Sequence, residues 1–300
     1  MSGEPTSPPQ PELTRRSLLL GAGGVSVSAP AIVRAQGLSK ASTVVFGAGV
    51  FGTWTAEHLR RAGHRVTLVD PWGPAHSRAS SGGESRMTRG AYGKDEIYTR
   101  MALDSLAEWK RLSALSGLPI FAPHGVLFFF SGEDAYLRDS LAVHRRLGLS
   151  TEALTAAEMS RRFPMIDFSG ISAGLFEPEF GALMARRSVQ MLVRRFLQSG
   201  GEYRQALAQV PSGTGAKLQV ATLANGEQLS ADNFVFALGP WLPKLFPDLL
   251  QNRIIATRQE VFYFAPPPGD RLFQPGRMPG WADFNNGDIF YGFPDLEARG

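Results

Sequence analysis

Between Thr43 and Asp70 the apolar positions change period twice. "TVVF" (43–46) is an unbroken β-branched and aromatic run, as a strand buried on both faces should be. After a glycine-rich turn, "WTAEHLRRAG" repeats Trp54, Ala56 and Leu59 at helical spacing, and Gly63 is placed to end the helix. "RVTLVD" returns to strand and closes on Asp70. Strand, turn, helix, strand predicts a βαβ unit with parallel strands.

Residues 71–93 carry no apolar period and read as a long Gly/Ser/Arg loop. A helix is predicted from Asp95 to about Leu115, with Ile97, Met101, Leu106, Trp109 and Leu112 as its apolar stripe. "GVLFFF" (125–130) predicts a strand and 131–148 a helix, followed by a short helix within 152–164 that Pro164 halts. "ISAGLFEPEFGAL" (171–183) reads as strand and turn. In 186–201, Val189, Leu192, Val193, Phe196 and Leu197 mark one helix face, ended by Gly200 and Gly201. Residues 216–239 predict a hairpin turning at Asn225–Gly226, then a buried strand from Phe234 to Leu238. The tail, 254–300, alternates strand-like pieces with Pro/Gly turns. A βαβ unit in front, a helix–hairpin–strand near 185–239 and strand-rich insertions between them imply two interleaved domains.

Composition narrows the chemistry. The chain has 300 residues, is 43% hydrophobic and 19% charged, and carries a formal net charge of +4. No run of five like charges occurs, so the mild basicity does not point to nucleic acid. The absence of cysteine excludes disulfides, cysteine-ligated metals and a thiol nucleophile. The five histidines lack ligand-like spacing, so no metal site is expected.

The first residues are of another kind. Residues 1–12 are rich in Pro, Ser and Glu and read as disordered. Arg15 and Arg16 then precede a mild apolar stretch from Leu18 to Val33, too short and polar to span a bilayer. Val33 and Ala35 are small residues at the −3 and −1 positions of a cleavage site. Residues 1–36 thus resemble a twin-arginine export signal with a disordered start, which implies a periplasmic or secreted protein.

Gly47, Gly49 and Gly52 form a G-x-G-x-x-G turn between strand and helix. The first permits the bend, the second lets a pyrophosphate reach the backbone, and the third lets the helix pack closely on the sheet. The amides of the helix start, including Val50 and Phe51, then face the phosphates. Asp70, 18 residues after Gly52, would accept ribose hydroxyls and repel a 2′-phosphate, which leaves NAD and FAD. The loop "HSRASSGGESRMTRGAYG" (76–93) is longer than a simple NAD site requires. Ser80, Ser81, Gly82 and Gly83 would let backbone amides approach a planar ring. Arg86 and Arg89, three apart, would share a face on a helical turn, one near a flavin and one near a substrate carboxylate.

Taken in order, "GAGVFGTWTAEHLRRAGHRVTLVD", "SSGGESRMTRGAYG", "FEPEFGALMARRSV", "ADNFVFALGPWLPKL" and "IFYGFPD" resemble the D-amino-acid-oxidase-type flavoenzymes. The likeness is to the monomeric sarcosine oxidase / N-methyltryptophan oxidase branch, from about residue 42 to the end. It implies an α/β fold, a Rossmann-like FAD-binding domain interleaved with a mixed-sheet α+β substrate domain. The FAD domain would take 42–118 and 183–250, the substrate domain 119–182 and 251–300. The cofactor implied is FAD, and the reaction is oxidation of the C–N bond of a secondary or N-methyl amino acid. Hydride would pass to flavin N5, and O₂ or another acceptor would take the electrons, with O₂ giving H₂O₂. By the resemblance Arg86 lies beside the flavin, Arg89 grips the substrate carboxylate, Tyr291 lines the pocket, Glu177 is structural, and Gly239 passes near the cofactor.

Two departures stand out. Gly82 occupies a position where the sarcosine oxidase branch has a histidine. The resemblance also expects, beyond "YGFPD", a lysine for oxygen activation, a cysteine that binds FAD in some members, and a last glycine-rich stretch. About a quarter to a third of the expected protein would lie past Gly300. The rival readings are a truncated, inactive FAD-binding remnant and an NAD-dependent dehydrogenase.

Overall fold

The structure is a computed structural model, and it describes residues 40–132, 134–209, 211, 217–286 and 288–297. The export-signal reading of residues 1–36 lies outside the described residues. Along the chain run β1 (Ser42–Phe46), α1 (Val50–Arg61), β2 (Arg65–Val69), β3 (Ser85–Met87), α2 (Glu96–Ser116), β4 (Phe121–Ala122) and β5 (Val126–Phe130). There follow α3 (Ala135–Leu147), β6 (Glu152–Thr155), α4 (Ala156–Arg162), β7 (Ala173–Glu177), β8 (Ala182–Met184), α5 (Ala185–Gln198) and β9 (Glu202–Arg204). The last elements are β10 (Val220–Thr222), β11 (Gln228–Ser230), β12 (Asn233–Phe236), α6 (Leu242–Leu245), α7 (Pro247–Leu250), β13 (Gly280–Asn286) and β14 (Asp288–Gly292).

The fold is α/β. One sheet is parallel in the order β12-β1-β2-β9, and a five-stranded mixed sheet runs β14-β13-β5-β7-β6. A short antiparallel sheet, β3-β8-β4, is built from pieces that precede and follow the first excursion into the mixed sheet. The chain therefore leaves the parallel sheet after β2, returns for β9 and β12, and leaves again for β13.

The central strands β1 and β5 are buried on two faces, which explains their unbroken apolar runs. On β1, Val45 packs with Ala56, Val193 and Phe196 of α1 and α5, while Val44 and Phe46 pack with Ala221, Leu223 and Leu229 of the β10–β11 hairpin. On β5, Phe128 and Phe130 join Leu106, Trp109 and Leu112 of α2, while Leu127 and Phe129 join Met159, Phe163 and Phe168. Each such side chain contributes roughly 1.5–3 kcal/mol of burial.

Helix ends follow the sequence signals. Gly63 takes φ +93 just past α1 and donates to Arg60 O at 2.9 Å. Asp134 caps α3 through the amides of Tyr136 and Leu137, and Thr155 with Glu158 makes a capping box on α4. Gly226 takes φ +84 at the predicted hairpin turn.

Three expectations need correction. Ile97 and Met101 of the predicted α2 stripe are 61% and 56% exposed, and the buried face runs through Thr99, Leu106, Trp109 and Leu112. At 100° per residue Ile97 lies opposite Leu106. The strand from Phe234 to Leu238 is shorter, β12, and half-buried because it is a sheet edge. In the tail, strands form at β13 and β14, whereas Val261–Phe264 make no ladder among the described residues and stand exposed.

Candidate cofactor cleft and active site

The glycine turn sits where β1 feeds α1, at the carboxyl end of the parallel strands. Gly47 holds φ +105, and a Cβ there would fall 2.3 Å from the carbonyl oxygen of Ala237. A Cβ on Gly52 would fall 1.8 Å from Gly47 O, so the helix stands directly on the turn. Gly49 differs: its backbone is extended (φ −81, ψ −175), and its Cβ would meet only Ser81 Oγ at 3.4 Å. The first internal bond of α1 is Thr53 N to Gly49 O at 3.0 Å, which leaves the amides of Gly49, Phe51 and Gly52 without an intrahelical partner. The Val50 amide instead donates to Ser81 Oγ at 3.0 Å. The Phe51 side chain is 81% exposed, so its backbone is what it offers this site.

Asp70 is buried at the end of β2. Its Oδ2 accepts the Ala48 amide at 2.9 Å, and its Oδ1 accepts those of Trp72 and Gly73 at 2.9 and 3.0 Å. Three of roughly four acceptor positions are therefore spent on shaping the turn, and about one remains for a hydroxyl. Burial and the Asp70 charge push the neighbouring Tyr203 phenol up to about 12.

The loop after Asp70 wraps round the glycine turn. Ala75 N donates to Ala48 O at 3.2 Å, and Ser80–Gly82 form one 3₁₀ turn whose buried Ser81 meets α1. Gly82 is locked in place, since a Cβ would lie 2.1 Å from His76 O. Arg186 on α5 donates through Nε and Nη2 to Gly82 O at 2.9 and 2.7 Å.

Arg86 and Arg89 do not share a helical turn. Arg86 lies in strand β3, where the side-chain period is two, and Arg89 follows the strand end. The exposed Arg86 guanidinium folds back on its own loop, donating to Ser85 O at 2.6 Å and to Ser80 O. Arg89 is half-buried, with Cζ 4.6 Å from the Tyr92 ring centroid. Its charge also faces Tyr136 and Glu177. Burial pushes the Tyr136 phenol up, and Arg89 opposes that shift.

Next to Arg89 is a buried polar cluster around Glu177, the residue that the resemblance makes structural. Glu177, at the end of β7, accepts the Gly90 amide at 2.9 Å. Its Oε1 is 3.6 Å from His144 Nε2, with both side chains 1% exposed. Burial pushes the Glu177 carboxyl up to about 8 and holds the His144 imidazole below its ordinary range. Its partners His144 and Gly90 leave no spacing signal in the sequence, where Glu177 shows as a polar residue closing the apolar strand "GLFE" and as part of the "FEPEFG" motif.

Gly239 is exposed at φ +52 and opens a 3₁₀ turn to Trp241, two residues after the Ala237 that abuts Gly47. Trp241 packs in tilted contact with Trp72 at 5.0 Å and with His76 at 5.5 Å, joining the two chain segments that flank the turn. Trp72 was not singled out by the sequence, and the "PW" after Asp70 was its signal. Tyr291 lies on edge strand β14, 43% exposed, with Phe293 edge-on at 6.0 Å.

The geometry fits a dinucleotide. A tight glycine turn with open space over Gly49, first-turn amides without intrahelical partners and a carboxylate after the second strand lie together. Residues 42–299 match the family described as FAD dependent oxidoreductase. The chain belongs to that family. Among the relatives of this flavoprotein is the monomeric sarcosine oxidase of Streptomyces avermitilis, 28% identical over 260 residues, 85% of this chain and 66% of the relative. The human peroxisomal sarcosine oxidase is 31% identical over 222 residues, covering 74% and 56%. The chain thus spans about two thirds or less of these relatives. Among solved structures, an open form of NikD, an amino acid oxidase of nikkomycin biosynthesis, aligns with TM-score 0.64 at 20% identity, covering 85% of this chain and 66% of the other. The L-proline dehydrogenase of P. horikoshii gives TM-score 0.64 at 17% identity, covering 82% and 64%. At these identities the structural likeness establishes the fold, with FAD as the cofactor of the family.

Proposed function

We propose that this protein oxidises the C–N bond of a secondary or N-methyl amino acid. Bound FAD would accept the hydride, and O₂ would then take the electrons to give H₂O₂. The observation that carries the reading is the Val50–Ser81 bond, which brings the loop of Arg86 and Arg89 against the glycine turn. In this reading Gly47, Gly49, Val50, Phe51 and Gly52 hold the pyrophosphate through backbone, and Asp70 takes a ribose hydroxyl. Ser80, Ser81 and Gly239 lie along the dinucleotide, and Arg86 presents positive charge to the ring. Arg89 pairs with the substrate carboxylate, since a guanidinium on a half-buried, aromatic-backed segment is a strong carboxylate receptor. Tyr291 borders the substrate. The FAD and substrate domains interleave as 42–118 with 183–250 and 119–182 with 251–300.

The test is expression of the full reading frame, a visible spectrum, and an anaerobic screen of N-methyl and secondary amino acids. Bleaching of a flavin band by such an amino acid, followed by H₂O₂ on admitting air, supports the reading. A folded, FAD-loaded protein that none of them bleaches overturns it. Export by the twin-arginine route is part of the proposal, and replacing Arg15 and Arg16 by lysine should retain the protein in the cytoplasm.

A further inference from the structure

The segment that carries Arg89 is held by buried and half-buried polar groups from three separate elements. From β7, Glu177 Oε1 accepts the Gly90 amide at 2.9 Å. From α2, Thr99 Oγ1 donates to Gly90 O at 2.8 Å. From α3, Tyr136 OH donates to Ala91 O at 2.5 Å, and Ser140 Oγ accepts the Gly93 amide at 2.8 Å. Tyr136, Ser140 and His144 are spaced by four, so they form one stripe along α3. A Cβ on Gly90 would sit 2.9 Å from Glu177 Oε1 and 3.1 Å from Phe180, so the backbone is pressed against the carboxyl group.

Stability alone is a poor account of this arrangement. A buried carboxyl group beside a buried imidazole is costly, and apolar residues of similar size are often no worse. His144 Nδ1 lies 2.9 Å from Thr151 Oγ1, and its Nε2 faces Glu177 Oε1 at 3.6 Å, so the pair is buried with little to offset its desolvation. What the cluster does achieve is a fixed backbone one residue from Arg89.

We propose that Glu177 is a positioning residue for Arg89: by accepting the Gly90 amide, with His144 packed against it, it sets the pose in which the guanidinium receives the substrate carboxylate. The inference rests on the carboxylate role of Arg89 proposed above. Burial pushes the Glu177 carboxyl up to about 8, so at neutral pH the group is mostly protonated and glutamine is its close mimic. The carbonyl oxygen of glutamine would still accept the Gly90 amide.

The experiment compares the FAD-loaded full-length protein with R89A, E177A and E177Q. N-methylglycine and L-proline serve as carboxylate probes, and dimethylamine and pyrrolidine are the same amines without the carboxylate. Affinities are read from anaerobic titration and ligand-induced Tm shifts, and amide exchange at residues 89–93 is followed by hydrogen–deuterium exchange. The expected result is that wild type prefers the carboxylates, and R89A abolishes the preference. E177A should weaken carboxylate binding by about tenfold or more with amine binding unchanged and faster exchange at Gly90. E177Q should stay within about twofold of wild type, since it keeps the acceptor. If R89A matters and E177A does not, the positioning role fails while the Arg89 reading stands. If wild type shows no carboxylate preference, or R89A keeps it, both fail. Equal loss for carboxylates and amines in E177A marks general damage and overturns the positioning role. Should E177A not fold, E177Q decides, because a tenfold loss there is incompatible with a hydrogen-bonding role.

Discussion

The Val50 amide and the Ser81 hydroxyl, 31 residues apart, are joined by a 3.0 Å hydrogen bond. The start of α1 and the loop after Asp70 are thereby one surface, the one on which the proposed phosphate and flavin contacts would lie. Gly49 has no side chain with which to cap α1, and the Ser81 hydroxyl takes one of the first-turn amides in its place.

The three glycines of the turn should fail in different ways. Gly52→Ala places a methyl 1.8 Å from Gly47 O and should cost about 1–3 kcal/mol of stability or more. Gly49→Ala meets only Ser81 Oγ at 3.4 Å and needs no unusual φ, so its apo Tm should match wild type. Its FAD retention on gel filtration should nevertheless fall, because the methyl occupies the space of the diphosphate. Equal Tm losses for the two variants would contradict this assignment.

Asp70→Asn removes acceptors from amides that both oxygens serve. One end of the amide group can accept, and the other points N–H at N–H. We expect a loss of about 1–3 kcal/mol in denaturant unfolding of the apoprotein, and weaker FAD binding besides. An Asn variant of undiminished stability would show that the Ala48, Trp72 and Gly73 bonds carry little.

Arg86 offers a contrast. Its guanidinium is exposed and bonds carbonyls of its own loop, so Arg86→Ala should change stability by only about 0.5 kcal/mol. If it presents charge to the flavin, the same variant should lower the reduction potential measured by dye equilibration. A large Tm loss with an unmoved potential would make Arg86 a structural clasp.

The Glu177 carboxyl stands at about 8 in the folded protein against 4.5 for the free side chain. Between those values the folded state holds a proton that the unfolded chain has released, so stability falls as pH rises through this window. The contribution is full below 4.5 and gone above about 8. Glutamine has no proton to lose, so E177Q should gain on wild type in Tm as pH climbs from 4.5 to 8. His124 and His144, held below 6.5 by burial, act in the opposite sense and make stability rise with pH up to about 6.5 in both proteins. Parallel Tm curves for the two proteins would remove the buried proton from Glu177.

The turn and Asp70 were legible because their conformation is a local matter. Gly47 needs positive φ and Gly52 needs no Cβ whatever the distant chain does, and both facts are written in residue identity. The strands β3, β4 and β8 were not legible as a sheet, being two or three residues long with no period to detect. Glu177 is legible as a strand end and a structural motif position, but its partner is not, since Gly90 is 87 residues away and leaves no spacing signal. Three-residue spacing would put Arg86 and Arg89 on one face only of a helix, and the backbone there is a short strand and its exit. Val261–Phe264 has the composition of a strand, but a ladder needs a neighbour as well as a sequence.

The register of β1 with β12 has a temporal meaning. Ser42 and Asp232, bonded at 2.8 Å, are separated by 190 positions, and the Ala237 carbonyl that backs Gly47 emerges from the ribosome later still. At about 5–20 residues per second, translation takes about 10–40 s to cover that distance. Throughout that interval the nascent glycine motif has no wall to press against, so the turn takes its final packing only after residue 237 has emerged.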